Sequence, residues 1–168
     1  WEARTGGMLV EGYGLTETSP VLTINPLDDT RRAGTIGLPL PDTQLRIGDP
    51  HDLSRTQPDG EAGEILARGP QVFSGYLADA PATAAAFHDG WFRTGDMGVR
   101  EPDGHIRLVG RIKEIIITGG FNVYPGEVEE ALTSHPDIAQ AAVVGVPRSD
   151  GSEAVSYTHL TLPTKRIV

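Results

Sequence analysis

The sequence predicts a mixed α/β fold that is dominated by short antiparallel strands. Glycine and proline supply 21 and 13 of the 168 residues. That share is above average and is typical of a folded chain with many turns. Short apolar or alternating stretches lie between these turn residues, as expected for strands. Only two segments have the composition of a helix.

The first strands are predicted from apolar runs that end at glycine or proline. Met8 to Val10 is apolar and precedes a glycine-rich segment, so we predict a buried strand that enters a loop. Apolar stretches are interrupted by turn residues from Gly34 to Ile47, as in a small barrel or sheet, and its last four residues alternate in polarity. The polar segment Pro50 to Gly63 is predicted to be an exposed loop, and Glu64 to Arg68 the next strand.

A helix and a hairpin are predicted next. Pro81 to His88 is rich in alanine and follows Asp79, a suitable N-cap, so it is predicted to be a short helix. Trp91 to Arg100 and His105 to Val109 flank the turn Pro102 to Gly104 and are predicted to form a β-hairpin.

The remaining elements are two strands and the helix with the strongest pattern. Ile115 to Ile117 is predicted to be a short apolar strand, and Ala139 to Val146 another. Pro125 to Ser134 begins with proline, carries glutamates in its first turns, and places Val128 and Leu132 on one face. These features predict a helix.

The last residues differ in composition from the rest of the chain. Residues 154–168 contain two basic and no acidic residues, although the whole chain has a net charge of −9. An ordinary edge strand and tail is one explanation. We favour a foreign, vector-like end that begins near Val155, and we exclude it from functional reasoning.

Composition limits the function classes. The negative charge argues against nucleic acid as a partner. The sequence contains no run of about 18 apolar residues, which a membrane-spanning helix would need. Peripheral membrane contact and oligomeric state stay open. The chain has no cysteine, which excludes disulfides and agrees with the cytoplasmic location that we expect. Trp1 is not methionine and no signal peptide follows it, so we expect an internal piece of a longer protein.

The first chemically informative cluster is Tyr13-Gly14-Leu15-Thr16-Glu17-Thr18. Glycines beside Tyr13 would let the backbone approach a flat ligand, and the hydroxyl of Thr16 and the carboxylate of Glu17 suit a phosphate and its magnesium ion. A Gly-Tyr-Gly turn followed by a helix-capping threonine explains the same residues structurally.

Two further clusters carry polar groups beside predicted strands. Asp96 ends the run Trp-Phe-Arg-Thr-Gly-Asp, where a carboxylate can accept hydrogen bonds from both ribose hydroxyls. Arg111 opens a segment that continues through Lys113 to Gly119-Gly120, and its forked guanidinium suits ribose or phosphate oxygens. A β-turn aspartate and a surface charge cluster are the structural alternatives. A fourth cluster, from Gly63 to Tyr76, offers no obvious reactive group and is predicted to be structural.

In this order and spacing, the four clusters resemble the adenylate-forming superfamily of acyl-CoA synthetases, luciferases and peptide-synthetase adenylation domains. The resemblance covers Met8 to Glu153. The segments Gly12 to Pro20 and Gly34 to Pro39 are most similar to bacterial fatty acyl-CoA ligases. The resemblance implies the barrel-like end of a large N-terminal domain over residues 1–112 and the start of a small α+β C-terminal domain over 113–154. The non-native tail that composition predicts occupies 155–168.

The resemblance also implies a role for each matching residue. Tyr13 would stack on adenine beside Gly14, Thr16 would contact the adenylate phosphate, and Glu17 would hold Mg²⁺. Asp96 would bind the ribose hydroxyls, with assistance from Arg111. Lys113 matches the interdomain hinge, and Gly120 lies where the pantetheine tunnel of the family forms. Thr16 and Glu17 are therefore the predicted catalytic residues.

The implied activity is that of an ATP-dependent acyl-CoA ligase, with ATP, Mg²⁺, a carboxylic acid and CoA as small-molecule partners. A long- or medium-chain fatty acid is the expected substrate. Alternatives are an aryl-CoA ligase, a carrier-protein loader, or a non-catalytic module that binds nucleotide or a partner. The phosphate loop ending in Pro-Lys-Gly and the C-terminal lysine motif are not in this sequence, so we expect the chain alone to be inactive. Pro163-Thr164-Lys165 resembles part of the lysine motif but comes too early.

Overall fold

The computed structural model of the protein describes residues 1–149 and 151–161. The chain divides into two compact units between Leu108 and Val109. Each unit has its own strands and its own main helix. Among the described residues, no helix has the length and apolar character needed to cross a membrane.

The first unit is built from antiparallel strands in two sheets. The smaller sheet has the strand order β1 (Gly12–Gly14), β2 (Val21–Ile24) and β3 (Leu38–Pro39). The larger sheet consists of β4 (Gln44–Asp49), β5 (Asp52–Thr56), β6 (Ala62–Arg68), β7 (Phe87–His88), β8 (Trp91–Arg100) and β9 (Ile106–Arg111). Its order is β5-β4-β6-β8-β7, and β9, whose first three residues belong to the first unit and whose last three belong to the second, pairs with β8. The predicted mixed α/β class with mostly antiparallel strands is confirmed.

Two short helices complete this unit, α1 (Glu2–Thr5) and α2 (Ala80–Ala86). The predicted cap of α2 is confirmed, because the Asp79 carboxylate accepts the Ala82 amide at 2.9 Å. The helix ends two residues earlier than its alanine-rich pattern suggests. Phe87 pairs with Phe92 and His88 with Trp91 instead, so a two-residue strand replaces the last turn.

Two predictions for the first unit are wrong. Met8 to Val10 is not a buried strand: Met8 and Leu9 are 46% and 60% exposed, and the strand forms at Gly12–Gly14 instead. The segment Pro50 to Gly63 is not wholly a loop, because Asp52–Thr56 forms the edge strand β5. An edge strand has one unpaired side and can carry polar side chains, so its sequence resembles that of a loop.

The apolar core of the first unit contains two clusters that share partly buried neighbours. One cluster is Ile36, Ile47, Ile65 and Ile106, and the other is Leu22, Ala67 and Phe92. Tyr13 and Leu45 pack against both clusters. The core therefore holds the aromatic ring of the first glycine-rich motif.

The second unit contains two hairpins and a helix. Strands β10 (Ile116–Thr118) and β11 (Phe121–Val123) form the first hairpin, and β12 (Ile138–Pro147) and β13 (Glu153–Thr161) form the second. Helix α3 (Pro125–Thr133) lies between them in sequence and has proline in its first turn, as predicted. The strands predicted at Ile115 to Ile117 and Ala139 to Val146 are confirmed within one or two residues.

The predicted domain limits stay predictions. The proposed boundary after residue 112 falls inside a 3₁₀ turn, Ile112–Glu114, four residues beyond the division between the units. Of the predicted foreign tail, residues 155–161 belong to β13, and the remainder, including Lys165, lies outside the described residues. Any β-forming segment can pair in this way, so pairing does not reveal the origin of the segment.

Candidate functional site

Tyr13 and Asp96 are separated by 83 residues in sequence and are in direct contact, because the Tyr13 hydroxyl donates to Asp96 Oδ2 over 2.7 Å. Asp96 is 6% exposed and Tyr13 is half-buried. The core packing of the ring fixes the position of this phenol. An aromatic ring and a carboxylate thus lie side by side, and a planar ligand with neighbouring hydroxyl groups could use both.

Gly14 is explained by a close approach between two strands. A Cβ on Gly14 would lie 1.6 Å from the carbonyl oxygen of Pro20, at the point where the pairing of β1 with β2 shifts register. Only glycine fits there without movement of the backbone. The approach of the Pro20 carbonyl is therefore enough to explain glycine at this position. The close approach of a flat ligand to Gly14 stays a prediction.

Asp96 is the last residue of a bulge in β8. The pairing of β6 with β8 runs from Glu64 opposite Met97 to Leu66 opposite Arg93, so residues 94–96 stand opposite Ile65 alone. Gly95 adopts φ = 73°, in the left-handed region that favours glycine. Bulges redirect side chains and are frequent beside active sites. The Gly in the Thr-Gly-Asp motif permits the backbone turn that precedes the carboxylate.

Glu17 lies in a short 3₁₀ turn, Thr16–Thr18. Hydrogen bonds of Thr18 hold the backbone of this turn, and Tyr76 holds the side chain of Glu17. Thr18 is fully buried, accepts the Leu15 amide at 2.9 Å and donates to the Pro20 carbonyl at 2.8 Å. The Tyr76 hydroxyl donates to Glu17 Oε1 at 2.9 Å, and this hydrogen bond raises the pKa of the Tyr76 phenol. Thr16 is exposed at the start of the turn.

The carboxylate of Glu17 fits one mode of magnesium binding. No group of three or more histidine, cysteine, aspartate or glutamate side chains is placed to hold a metal within residues 1–149 and 151–161. Mg²⁺ is often held instead by one or two carboxylates together with substrate phosphates and water. A half-buried glutamate whose orientation is fixed by Tyr76 is suited to that arrangement.

The other predicted site residues belong to the second unit. Arg111 is an exposed residue at the end of β9, and Lys113 is exposed in the following 3₁₀ turn. Lys113 lines a cleft of about 500 Å³ inside this unit, together with Glu129 and Glu153. Gly120 has φ = 81° in the β10–β11 turn, a conformation that by itself favours glycine.

The structure therefore joins some of the predicted site residues directly. Tyr13 contacts Asp96, and Glu17 is held by a turn of the same unit. The individual roles of all these residues stay predictions.

Two residues that shape this region belong to no predicted site. Tyr76 lies in the cluster that the sequence predicts to be structural, yet it contacts Glu17, and the nearby Phe73 amide donates to the Glu17 carbonyl at 2.8 Å. Thr18, for which the sequence suggests a helix cap, anchors the turn. No sequence signal connects Tyr76 with Glu17, because the pair is 59 residues apart.

Two family models match the chain. The model described as AMP-binding enzyme matches residues 1–77, and the one described as AMP-binding enzyme C-terminal domain matches residues 127–163. The C-terminal match therefore extends through β13 and past its end.

Curated relatives are ligases of different acids. The chain is 44% identical over 155 residues to a long-chain-fatty-acid–CoA ligase of Salmonella typhimurium, covering 92% of this chain and 27% of that protein. It is 48% identical over 145 residues to an indoleacetate–CoA ligase of Aromatoleum aromaticum, covering 84% of this chain and 28% of that protein. The chain thus spans little more than a quarter of the length of these relatives.

Among solved structures, ATP-bound MatB from Rhodopseudomonas palustris is similar over the whole chain. It superimposes with a TM-score of 0.90 at 39% identity, covering 100% of this chain and 33% of MatB.

Proposed function

The chain belongs to the AMP-binding enzyme family, and we propose that it carries part of the nucleotide site of an acid–thiol ligase. In the proposed reaction, a carboxylate oxygen attacks the α-phosphorus of ATP, forming an acyl adenylate and releasing pyrophosphate. A thiolate then attacks the acyl carbonyl carbon, the bond to AMP breaks, and a thioester and AMP are formed. CoA is the proposed thiol.

The contact between Tyr13 and Asp96 carries this proposal. A buried carboxylate can accept hydrogen bonds from the two ribose hydroxyls, and an aromatic ring beside it can stack on adenine. Because the two groups are already in contact within the first unit, little side-chain freedom would be lost when a nucleoside binds.

The remaining residues receive roles that the same reaction requires. Thr16 would contact the adenylate phosphate, and Glu17 would hold Mg²⁺, whose charge stabilises the phosphate oxygens. Arg111 would assist Asp96 at the ribose, and Gly120 would line the path of the pantetheine. Lys113 would be the hinge, since the 3₁₀ turn Ile112–Glu114 lies between β9 and β10 and offers a few backbone angles that can change without disturbing either strand.

The proposed acid is a long- or medium-chain fatty acid. The similarity to the Salmonella ligase supports it, whereas the similarity to the indoleacetate ligase supports an aromatic acid. Pyrophosphate release by the longer protein with dodecanoate, palmitate and indoleacetate would separate these possibilities. A rate that is highest for indoleacetate would overturn the fatty-acid assignment.

The nucleotide site is tested by binding AMP to the purified chain in a calorimeter. Asp96→Asn should weaken AMP binding by about 10- to 100-fold, because hydrogen bonds to a charged group contribute about 1.5–3 kcal/mol. Asp42→Asn is the matched control, because this exposed aspartate has φ = 59°, which asparagine tolerates. The affinity of this variant for AMP should equal that of the wild type. Equal AMP affinity in the wild type and Asp96→Asn would overturn the proposal.

The competing function is a nucleotide-binding module without catalysis. The coding sequence that flanks this chain distinguishes the two. An upstream Ser/Thr/Gly-rich loop ending in Pro-Lys-Gly agrees with the ligase, and its absence from the complete gene favours the module.

A further inference from the structure

The buried carboxylate of Glu64 is the feature of the first unit that the proposed function leaves unexplained. Glu64 lies in β6 and is 1% exposed. Glutamate is almost never fully buried unless it is paired, because removal of its charge from water is costly. The desolvation of the Glu64 carboxylate must therefore be offset by specific contacts within the sheet.

Both oxygens of Glu64 accept hydrogen bonds from β8, from Arg93 just before the 94–96 bulge and from Gly95 inside it. Its Oε2 accepts hydrogen bonds from Arg93 Nη2 at 2.9 Å and Nε at 3.1 Å. Its Oε1 accepts the backbone amide of Gly95 at 3.2 Å. The carboxylate thus holds the residues that stand one and three positions before Asp96.

Thr94 completes the fixation of the bulge. Its hydroxyl donates to the Ile65 carbonyl at 2.8 Å and accepts the Asp96 amide at 3.1 Å. Both backbone amides of the Gly95–Asp96 pair are therefore tied to side chains, in place of the ladder bonds that the bulge interrupts. Asp96 is the last residue of this fixed bulge, and its carboxylate accepts the Tyr13 hydroxyl.

An ion pair with Arg93 alone does not explain why Glu64 is buried. The Arg93 side chain is 39% exposed and can be solvated without a partner. A buried carboxylate gains little net stability from such a pair, because its desolvation offsets the attraction. The hydrogen bond from the Gly95 amide gives the carboxylate a second role, because it fixes the backbone conformation at Gly95.

We propose that Glu64 is a positioning residue for Asp96: its carboxylate fixes the 94–96 bulge and so directs Asp96 towards Tyr13 and the ribose hydroxyls of a nucleotide. The inference rests on the proposed role of Asp96. Glu64 itself touches neither the nucleotide nor the reacting atoms.

The test compares two nucleotides that differ only at the ribose. AMP and 2′,3′-dideoxy-AMP are titrated into the wild type, Glu64→Met and Glu64→Gln. Methionine keeps the volume of Glu64 but cannot replace its oxygens, whereas glutamine keeps one oxygen for the Gly95 amide. Glu61→Met, at an exposed position just before β6, is the matched control. Thermal unfolding of each variant identifies any that do not fold.

We expect the wild type and Glu61→Met to prefer AMP over the dideoxy nucleotide by about 10-fold or more. Glu64→Met should lose most of this preference through weaker AMP binding, with dideoxy-AMP binding unchanged, and Glu64→Gln should retain part of it. A merely structural role would weaken both nucleotides equally, and that result would overturn the inference. So would an undiminished preference for AMP in Glu64→Met.

A measurement without ligand separates this inference from the proposed function. Amide hydrogen exchange of Gly95 and Asp96 should accelerate at least 10-fold in Glu64→Met, while amides of β4 keep their rates. Unchanged exchange at Gly95 overturns the inference and leaves the nucleotide role of Asp96 intact. A wild type that does not distinguish AMP from dideoxy-AMP overturns the role of Asp96, and the inference with it.

Discussion

The Tyr13 hydroxyl donates a 2.7 Å hydrogen bond to the Asp96 carboxylate and so joins two motifs that are 83 residues apart. The first motif lies on β1 of the small sheet, and the second ends in the 94–96 bulge of β8 in the large sheet. The contact therefore links the two sheets of the first unit at the proposed nucleotide site.

Tyr13→Phe should destabilise the first unit by about 1.5–3 kcal/mol, because it removes a hydrogen bond to a buried charged group. Trp1 and Trp91 both belong to this unit, so urea unfolding followed by tryptophan fluorescence reports on it. Tyr76→Phe, which removes an exposed hydroxyl, should cost about 0.5 kcal/mol or less. Equal losses in the two variants would contradict the importance of the buried contact.

Gly14→Ala should destabilise the chain by about 1–3 kcal/mol even without nucleotide, because its Cβ would collide with the Pro20 carbonyl. Gly7→Ala is the control, since its Cβ would meet the nearest atom at 3.5 Å, an ordinary contact. Urea unfolding of both variants decides the matter. If Gly14→Ala is as stable as the wild type and loses only AMP affinity, Gly14 is required for the approach of the ligand and not for the packing of the strands.

Tyr76→Phe should raise the Mg²⁺ concentration that half-maximally promotes ATP binding by about 2- to 10-fold. The Tyr76 hydroxyl orients Glu17, and an unrestrained side chain loses about 0.5–1.5 kcal/mol on ordering. Calorimetric titrations of ATP at increasing Mg²⁺ measure the effect. Glu17→Gln should show the largest loss of Mg²⁺ dependence. Identical Mg²⁺ curves for Tyr76→Phe and the wild type would exclude an orienting role for Tyr76.

Amides of the second unit should exchange about 10- to 100-fold faster than those of β6. Within the described ranges, the buried hydrophobic side chains of the second unit are Val109, Ile116 and Val143, whereas the first unit has ten. Several large apolar side chains of β12 and β13 are exposed: Val144, Val146, Val155, Tyr157 and Leu160. The register of the two strands places Val144, Val146 and Leu160 on one face and Val155 and Tyr157 on the other, so exposed apolar side chains lie on both faces. A two-stranded sheet that is covered so little has little to stabilise it.

Hydrogen exchange also tests the hypothesis of a foreign tail. If residues from Val155 onward are foreign, their amides should be among the least protected of the second unit. Protection across Val155 to Thr161 that equals protection in β6 would contradict the hypothesis and show that β13 is a native strand.

Local composition was a good guide to the fold where side chains decided the element. The Asp79 cap, the proline at the start of α3 and the hairpin of β8 with β9 were all predicted, because capping and turn residues act within a few positions of their own. The prediction of a buried strand at Met8 to Val10 is wrong, because apolar residues are buried only where another element covers them. The polar strand β5 has no signal in its own sequence, because its pairing depends on β4.

The candidate site also has features that local sequence determines and features that only the tertiary structure determines. The sequence alone determined the family resemblance and which residue types the site contains, since a fixed order of short motifs is a local property of the chain. Only the tertiary structure decided that Tyr13 meets Asp96, that Tyr76 holds Glu17, and that Glu64 is buried against the Gly95 amide. These partners lie 83, 59 and 31 residues apart, and strand order and register bring them together. Register is set by the packing of whole strands against a shared core, which no single motif encodes.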